Sequence, residues 1–121
     1  MGWAGEGIGE VCTELAGDAG LLFRESGYFY PVQGTEVAML NCFEWQAGSC
    51  GMRLSHRRRG DAVFLFELLP EAKGTHWRCQ QPHLCGADVY QGTLEMQENC
   101  ILLSWRVTGP RKDEHFHYVY R

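Results

Sequence analysis

Asp88-Val89-Tyr90-Gln91-Gly92-Thr93-Leu94-Glu95-Met96-Gln97, the turn pair Glu98-Asn99, and Cys100-Ile101-Leu102-Leu103-Ser104-Trp105-Arg106-Val107 form the stretch that decides the fold. In the first segment Tyr90, Leu94 and Met96 alternate with Gln91, Thr93 and Glu95. In the second, Ile101, Leu103, Trp105 and Val107 take every other position. Successive side chains of a strand point to opposite faces, so this period of two gives each segment one apolar and one polar face. Gly109-Pro110-Arg111-Lys112-Asp113 supplies the next turn, with Pro110 suited to its first corner. Residues 114–121 read as another strand, on which Phe116, Tyr118 and Tyr120 form the face that needs cover.

The same period runs upstream. Residues 6–15 and 21–30 read as strands, the second split by a bulge or bend at Ser26-Gly27. Residues 37–45 place Val37, Met39, Asn41, Phe43 and Trp45 on one face, and 51–58 set Met52, Leu54 and His56 opposite Arg53, Ser55 and Arg57. Gly60-Asp61 predicts a two-residue hairpin. Residues 62–69 form the most apolar strand, ended by Pro70, and 75–79 a short edge segment. No helical period interrupts this series. The prediction is a single all-β domain over 1–121, an up-and-down antiparallel barrel of about eight strands, whose interior either fills with side chains or admits one small ligand.

Composition narrows the function classes. The 121 residues carry a formal net charge of −4, which argues against a general nucleic-acid binder. The longest apolar run is far short of a membrane span. No basic segment followed by an apolar one opens the chain, which predicts no secretory signal and an intracellular, cytoplasmic protein. Six cysteines (12, 42, 50, 79, 85 and 100) are an even number, yet Cys42 and Cys100 lie inside apolar strand-like runs where a thiol packs as a small hydrophobe. Reduced thiols are the expectation.

The carboxy-terminal half resembles a small family of lipocalin-like β-barrel domains known as a domain of unknown function. The resemblance rests on His83-x-Cys85-Gly86-x-Asp88-x-Tyr90-x-Gly92, on Trp105-x-Val107-x-Gly109-Pro110-Arg111-Lys112-Asp113, and on the pair Tyr120-Arg121. Glu25-Ser26-Gly27 is similar to an early E-x-G element of that family. It is specific over residues 83–121 and diffuse before them. Members usually begin with a further strand carrying a Gly-x-Trp and Arg pattern; Met1-Gly2-Trp3 is similar to a remnant of it, which implies an amino-terminal edge left open. The resemblance implies a fold and no reaction.

Several constellations carry chemistry. His83, Cys85 and Asp88, with Cys79 upstream, offer zinc-ligand types, but the spacing is not that of a standard zinc site, and bracing a loop explains them as well. His115 and His117 share a strand face, and a third imidazole from His56 or His76 would complete a metal set; scattered surface histidines are the simpler reading. Cys85 beside His83 is the one candidate for an activated thiol, with Arg111 or Lys112 as the cation that would lower its pKa. Arg111 and Lys112 suit a carboxylate or phosphate at the barrel mouth, or ion pairs with Asp113, Glu114 or Asp88. Arg57-Arg58-Arg59 fits protection of a hairpin edge. Glu25, Asn41 and Glu67 share faces with apolar residues, where each would need a partner.

The leading expectation is a non-enzymatic barrel binding a small, partly apolar molecule, anionic if Arg111 and Lys112 contribute. Its contact residues would be Glu25, Trp45, His83, Cys85, Asp88, Tyr90, Trp105, Arg111 and Lys112. No catalytic set, metal site or cofactor is assigned, and neither nucleic acid nor membrane is an expected partner. One alternative is a solid interaction barrel whose open strand edge recruits a partner or pairs into a homodimer. The other is an enzyme built on His83, Cys85 and Asp88.

Overall fold

The computed structural model describes residues 4–72 and 74–121; Met1-Gly2-Trp3 lies outside the described residues. Ten strands, and among the described residues no helix, follow one another: β1 (Gly5–Ala16), β2 (Gly20–Pro31), β3 (Val37–Ala47), β4 (Met52–Arg58), β5 (Asp61–Pro70), β6 (His76–Arg78), β7 (His83–Cys85), β8 (Asp88–Met96), β9 (Ile101–Gly109) and β10 (Lys112–Tyr120). They make one antiparallel sheet in the order β1-β2-β3-β4-β5-β6-β8-β9-β10, with β7 paired to β8. The sheet curls into an open half-barrel. Among the described residues β1 pairs only with β2 and β10 only with β9, so the ladder does not close.

The concave face holds the core. Phe66, Leu54, Leu68 and Leu103 are almost fully buried, joined by Phe43, Trp45, Leu94, Trp105 and Val107. Tyr90, Phe116, Tyr118 and Tyr120 pack against them. Rings from the two ends of the sheet meet: Trp105 stacks on Tyr118 at 5.0 Å and 9°, Phe43 meets both edge-on, and Phe23 meets Tyr120 at 5.2 Å. Aromatic side chains therefore join the two ends where backbone hydrogen bonds do not.

The structure departs from the sequence reading in four places. The barrel is open and has ten strands. His83–Cys85, read as a loop, is a short strand whose hairpin turns at Gly86-Ala87, with Gly86 at φ 62°. The hairpin expected at Gly60-Asp61 turns one residue earlier: Arg58 pairs with Asp61, and Arg59 (φ 51°) and Gly60 (φ 84°) form the tip. Two positive φ values in a row give the turn whose twist matches a hairpin. Finally, the ladder runs unbroken through Ser26-Gly27, and the bulge falls between β4 and β5. There Leu54 faces Phe66 and Ser55 faces Phe64, leaving Leu65 as the extra residue. Gly27 has a different role. It sits opposite Gly9, and a Cβ on either would collide with the other strand's backbone, Gly27 with the Ile8 carbonyl and Gly9 with that of Ser26.

Candidate functional site

Several motif residues of the carboxy-terminal half pack against one another or against the core. Gly92 is bare because the Phe66 ring lies over it: a Cβ there would stand 2.6 Å from two ring carbons. Gly109 is bare because the Asp88 carboxylate packs against it, and Asp88 Oδ2 lies 3.6 Å from Lys112 Nζ. Arg106 donates two hydrogen bonds to Asp113, at 3.0 and 3.2 Å. Trp105 and Val107 fill the core. The β7–β8 and β9–β10 hairpins are thus clamped together.

The expected contact residues fall into three separate places. Glu25 lies at the seam between the sheet's ends. Trp45 and Trp105 are core residues. His83, Cys85, Asp88, Tyr90, Arg111 and Lys112 belong to the far hairpins. Within that last group His83 meets Phe64 at 4.6 Å and Tyr90 at 5.9 Å, Asp88 meets Lys112, and Cys85 is exposed. Glu25 and Arg111 are not brought together. Glu25 contacts Tyr120, and roughly 30 Å of extended strand separates residue 120 from residue 111.

At the seam the chemistry is specific. Glu25, on β2, is only 7% exposed. Tyr120 donates its hydroxyl proton to Glu25 Oε2 across 95 residues of sequence. Asn41, its cross-strand neighbour on β3, also hydrogen-bonds the carboxyl. Burial pushes the Glu25 pKa above its ordinary value, and the bonds from Tyr120 and Asn41 pull partly against it. Tyr118 is pushed up to about 12, by burial first and then by the nearby Glu25. Tyr120 is raised by burial and by its bond to Glu25. This is a latch: one acid and one phenol hold β10 to β2. Sequence parity suggested that Glu25 and Asn41 point inward; nothing in it indicated Tyr120 as their partner. Glu67, the third such residue, faces Arg53 and is exposed.

Other reactive groups are placed apart. His56 stacks on Phe43 at 5.1 Å, and burial, aided by Arg58, lowers its pKa. Cys79 accepts the Gly92 N–H at 3.2 Å, and burial raises its pKa. No cysteine is in a disulfide. The outer face of β6, β8, β9 and β10 carries a depression of about 300 Å³ edged by Arg78, Ser104, Arg106, His115 and His117, in which His117 Nδ1 and Ser104 Oγ lie 2.9 Å apart. A second, of about 290 Å³, adjoins it around Trp77 and Glu95. Both are outside the half-barrel. Among the described residues no three His, Cys, Asp or Glu side chains are grouped to hold a metal ion.

The first three strands form a limb unlike the rest. Nearly every residue of β1 is exposed, and Ile8 (71%), Leu15 (81%) and Leu40 (81%) stand in solvent with Tyr28, Tyr30 and Val37 nearby in the same strands. Among the described residues no strand pairs with the other side of the β1 backbone. The Val32 N–H donates to the Ala4 carbonyl at 2.8 Å, in line with the β1–β2 register. Hydrogen-bonded and non-hydrogen-bonded pairs alternate along an antiparallel ladder. Even-numbered residues of β1 therefore bond to β2, and the N–H and C=O groups of residues 5, 7, 9, 11, 13 and 15 point into the open edge.

Fold and site together define an all-β half-barrel with a latched seam and, among the described residues, an unpaired β1 edge. The chain belongs to a family of unknown function, DUF6314, whose model matches residues 4–121. No curated protein matches the chain, and no solved structure does. Among the described residues no helix is long and apolar enough to cross a membrane.

Proposed function

We propose that this domain is an interaction module that accepts an extended segment of another protein as a further strand along β1. The observation that carries the reading is the edge itself: twelve residues in unbroken register with β2, without a Pro, a Lys or a bulge in the strand, with main-chain groups available on the far side. Proteins normally blunt an edge of this length, and here only the charges of Glu6, Glu10 and Glu14 do so; strand addition uses such an edge through main-chain hydrogen bonds. The exposed apolar residues of the limb would add side-chain contact to that pairing.

Less supports the small-molecule reading. The concave face is filled by packed rings, and the two depressions lie on the outer surface. Less still supports an enzyme, because His83 and Asp88 are turned to different neighbours.

The test uses a substitution that removes one outward donor and spares the β2 ladder. Thr13 is exposed and its N–H points into the open edge, so Thr13→Pro should leave the melting temperature within a few degrees. Fluorescence anisotropy against labelled eleven-residue extended peptides, with Lys, Gln or Glu at the outward positions, reports addition. Binding of at least one peptide by the parent chain and its loss in Thr13→Pro is the expected result. No binding by any peptide, or equal binding by both proteins, refutes strand addition at β1.

A further inference from the structure

Resting on that reading, we infer that the strand accepted by β1 is cationic, with basic side chains spaced about every fourth residue on its outer face and aliphatic ones on its inner face. Charge is unevenly divided in this chain. Residues 5–41 contain six acids (Glu6, Glu10, Glu14, Asp18, Glu25 and Glu36) and a single base, Arg24, a net of −5. The whole chain is −4, so everything else sums to +1. Residues 5–41 are acidic, whereas the rest of the chain is close to neutral.

The acids are also ordered. Glu6, Glu10 and Glu14 share the outer face of β1, each separated from the next by four residues, roughly 13 Å of strand. Glu14 is paired with Arg24 at 2.8 Å; no ion pair of Glu6 or Glu10 occurs among the described residues. An added strand would lie with its outward side chains beside this row. A base opposite each Glu gains from the pairing, and an acid there is repelled. Between the acids stand Ile8 and Cys12, which suit neutral or apolar neighbours. On the inner face Gly7, Gly9, Val11, Thr13 and Leu15 offer no charge, so the incoming residues there are aliphatic.

The same row disfavours a second copy of this chain. Two-fold antiparallel pairing of β1 with itself, centred on Glu10, sets Glu10 against Glu10 and Glu6 against Glu14. Like charges directly opposite each other destabilise such a pair. The acids thus guard the edge against self-association and leave it open to a basic partner.

The experiment compares three labelled peptides at low salt by anisotropy, with the full chain. Val fills the inward positions of each; the outward positions carry Lys-Thr-Lys-Thr-Lys, the same with Glu for Lys, or the Lys version with two residues replaced by Pro. The Lys strand is expected to bind at least tenfold tighter than the Glu strand, to weaken with salt, and to lose about 3- to 10-fold when Glu6→Gln and Glu10→Gln are combined. Equal binding of Lys and Glu strands, or no effect of the double substitution, overturns the cationic assignment and leaves strand addition standing. Undiminished binding of the Pro-interrupted peptide overturns both, because attraction would then need no strand. Light scattering that shows a concentration-dependent dimer lost in Thr13→Pro overturns the choice of partner in favour of a second copy.

Discussion

Gly92→Ala is a sensitive test of whether the carboxy-terminal motif is architecture. Gly92 is buried on β8, and its φ is not among the positive values, so the backbone itself accepts alanine. If the glycine had no packing role, the substitution would stabilise the protein by about 0.4–1 kcal/mol through the unfolded chain's lost freedom. The packing says otherwise. A Cβ would stand 2.6 Å from Phe66 Cε1 and Cζ and 3.0 Å from Cδ1, so the ring must retreat by about 1 Å to reach ordinary contact. It has little room: Phe66 is 0% exposed and its centroid is 6.0 Å from that of Trp105. Overpacking of this kind costs about 1–3 kcal/mol. Set against the entropic gain, the net loss is about 1–2 kcal/mol, or about 3–10 °C in Tm for a chain of this length. Phe66→Leu removes the ring and costs about 1–2 kcal/mol alone; combined with Gly92→Ala, the two losses should fall short of their sum by at least about 0.5 kcal/mol. Urea denaturation of the four proteins measures the cycle. A stabilised Gly92→Ala protein, or strictly additive losses, refutes the assignment of Gly92 to the Phe66 ring.

Three further outcomes follow from the seam and the limb. Folded Glu25 holds its proton more tightly than the unfolded chain does, so its contribution is present below its ordinary value of 4.5 and is lost as pH rises through the raised one; Glu25→Gln, which keeps an acceptor for Tyr120, should therefore be more stable than the parent at pH 7, with the gain gone at pH 4 in urea titrations. Tyr120→Phe leaves the buried carboxylate with Asn41 alone and should cost about 1–3 kcal/mol at pH 7, and clearly less in the Glu25→Gln background. Gly27→Ala drives a methyl group into the Ile8 carbonyl and should cost about 2–3 kcal/mol, seen in hydrogen exchange as loss of protection in β1 before the rest of the sheet.

Much of the fold was legible because alternation is a local property. Val37, Met39, Asn41, Phe43 and Trp45 announce one face of β3 without reference to any other strand, and the same holds for Ile101 to Val107. The reading failed where geometry depends on a partner. Three residues, His83–Cys85, are too few to show a period, so β7 was invisible. The Arg59-Gly60 tip was missed because arginine seldom takes a positive φ and Gly60-Asp61 looked the better turn. The bulge at Leu65 leaves no mark in a run as uniformly apolar as β5. Whether a meander closes is settled by strands at opposite ends of the chain, and no window of sequence contains both. The candidate contact set suffered from the same blindness: its members are distinctive side chains, and Asp88 and Lys112 among them join two hairpins that no single window of sequence contains.

The seam latch also bears on the order in which the molecule is made. Apart from β6, which pairs with β8 rather than with the short β7, each strand pairs with its neighbour in the chain, so the sheet can grow hairpin by hairpin with little loop entropy to overcome at any step. The Glu25–Tyr120 bond is of another kind, since it must wait for residue 120 while residue 25 stands ready. A nascent chain would carry an assembled but unfastened ribbon, its aromatic face uncovered along one side, until the final hairpin swings across it.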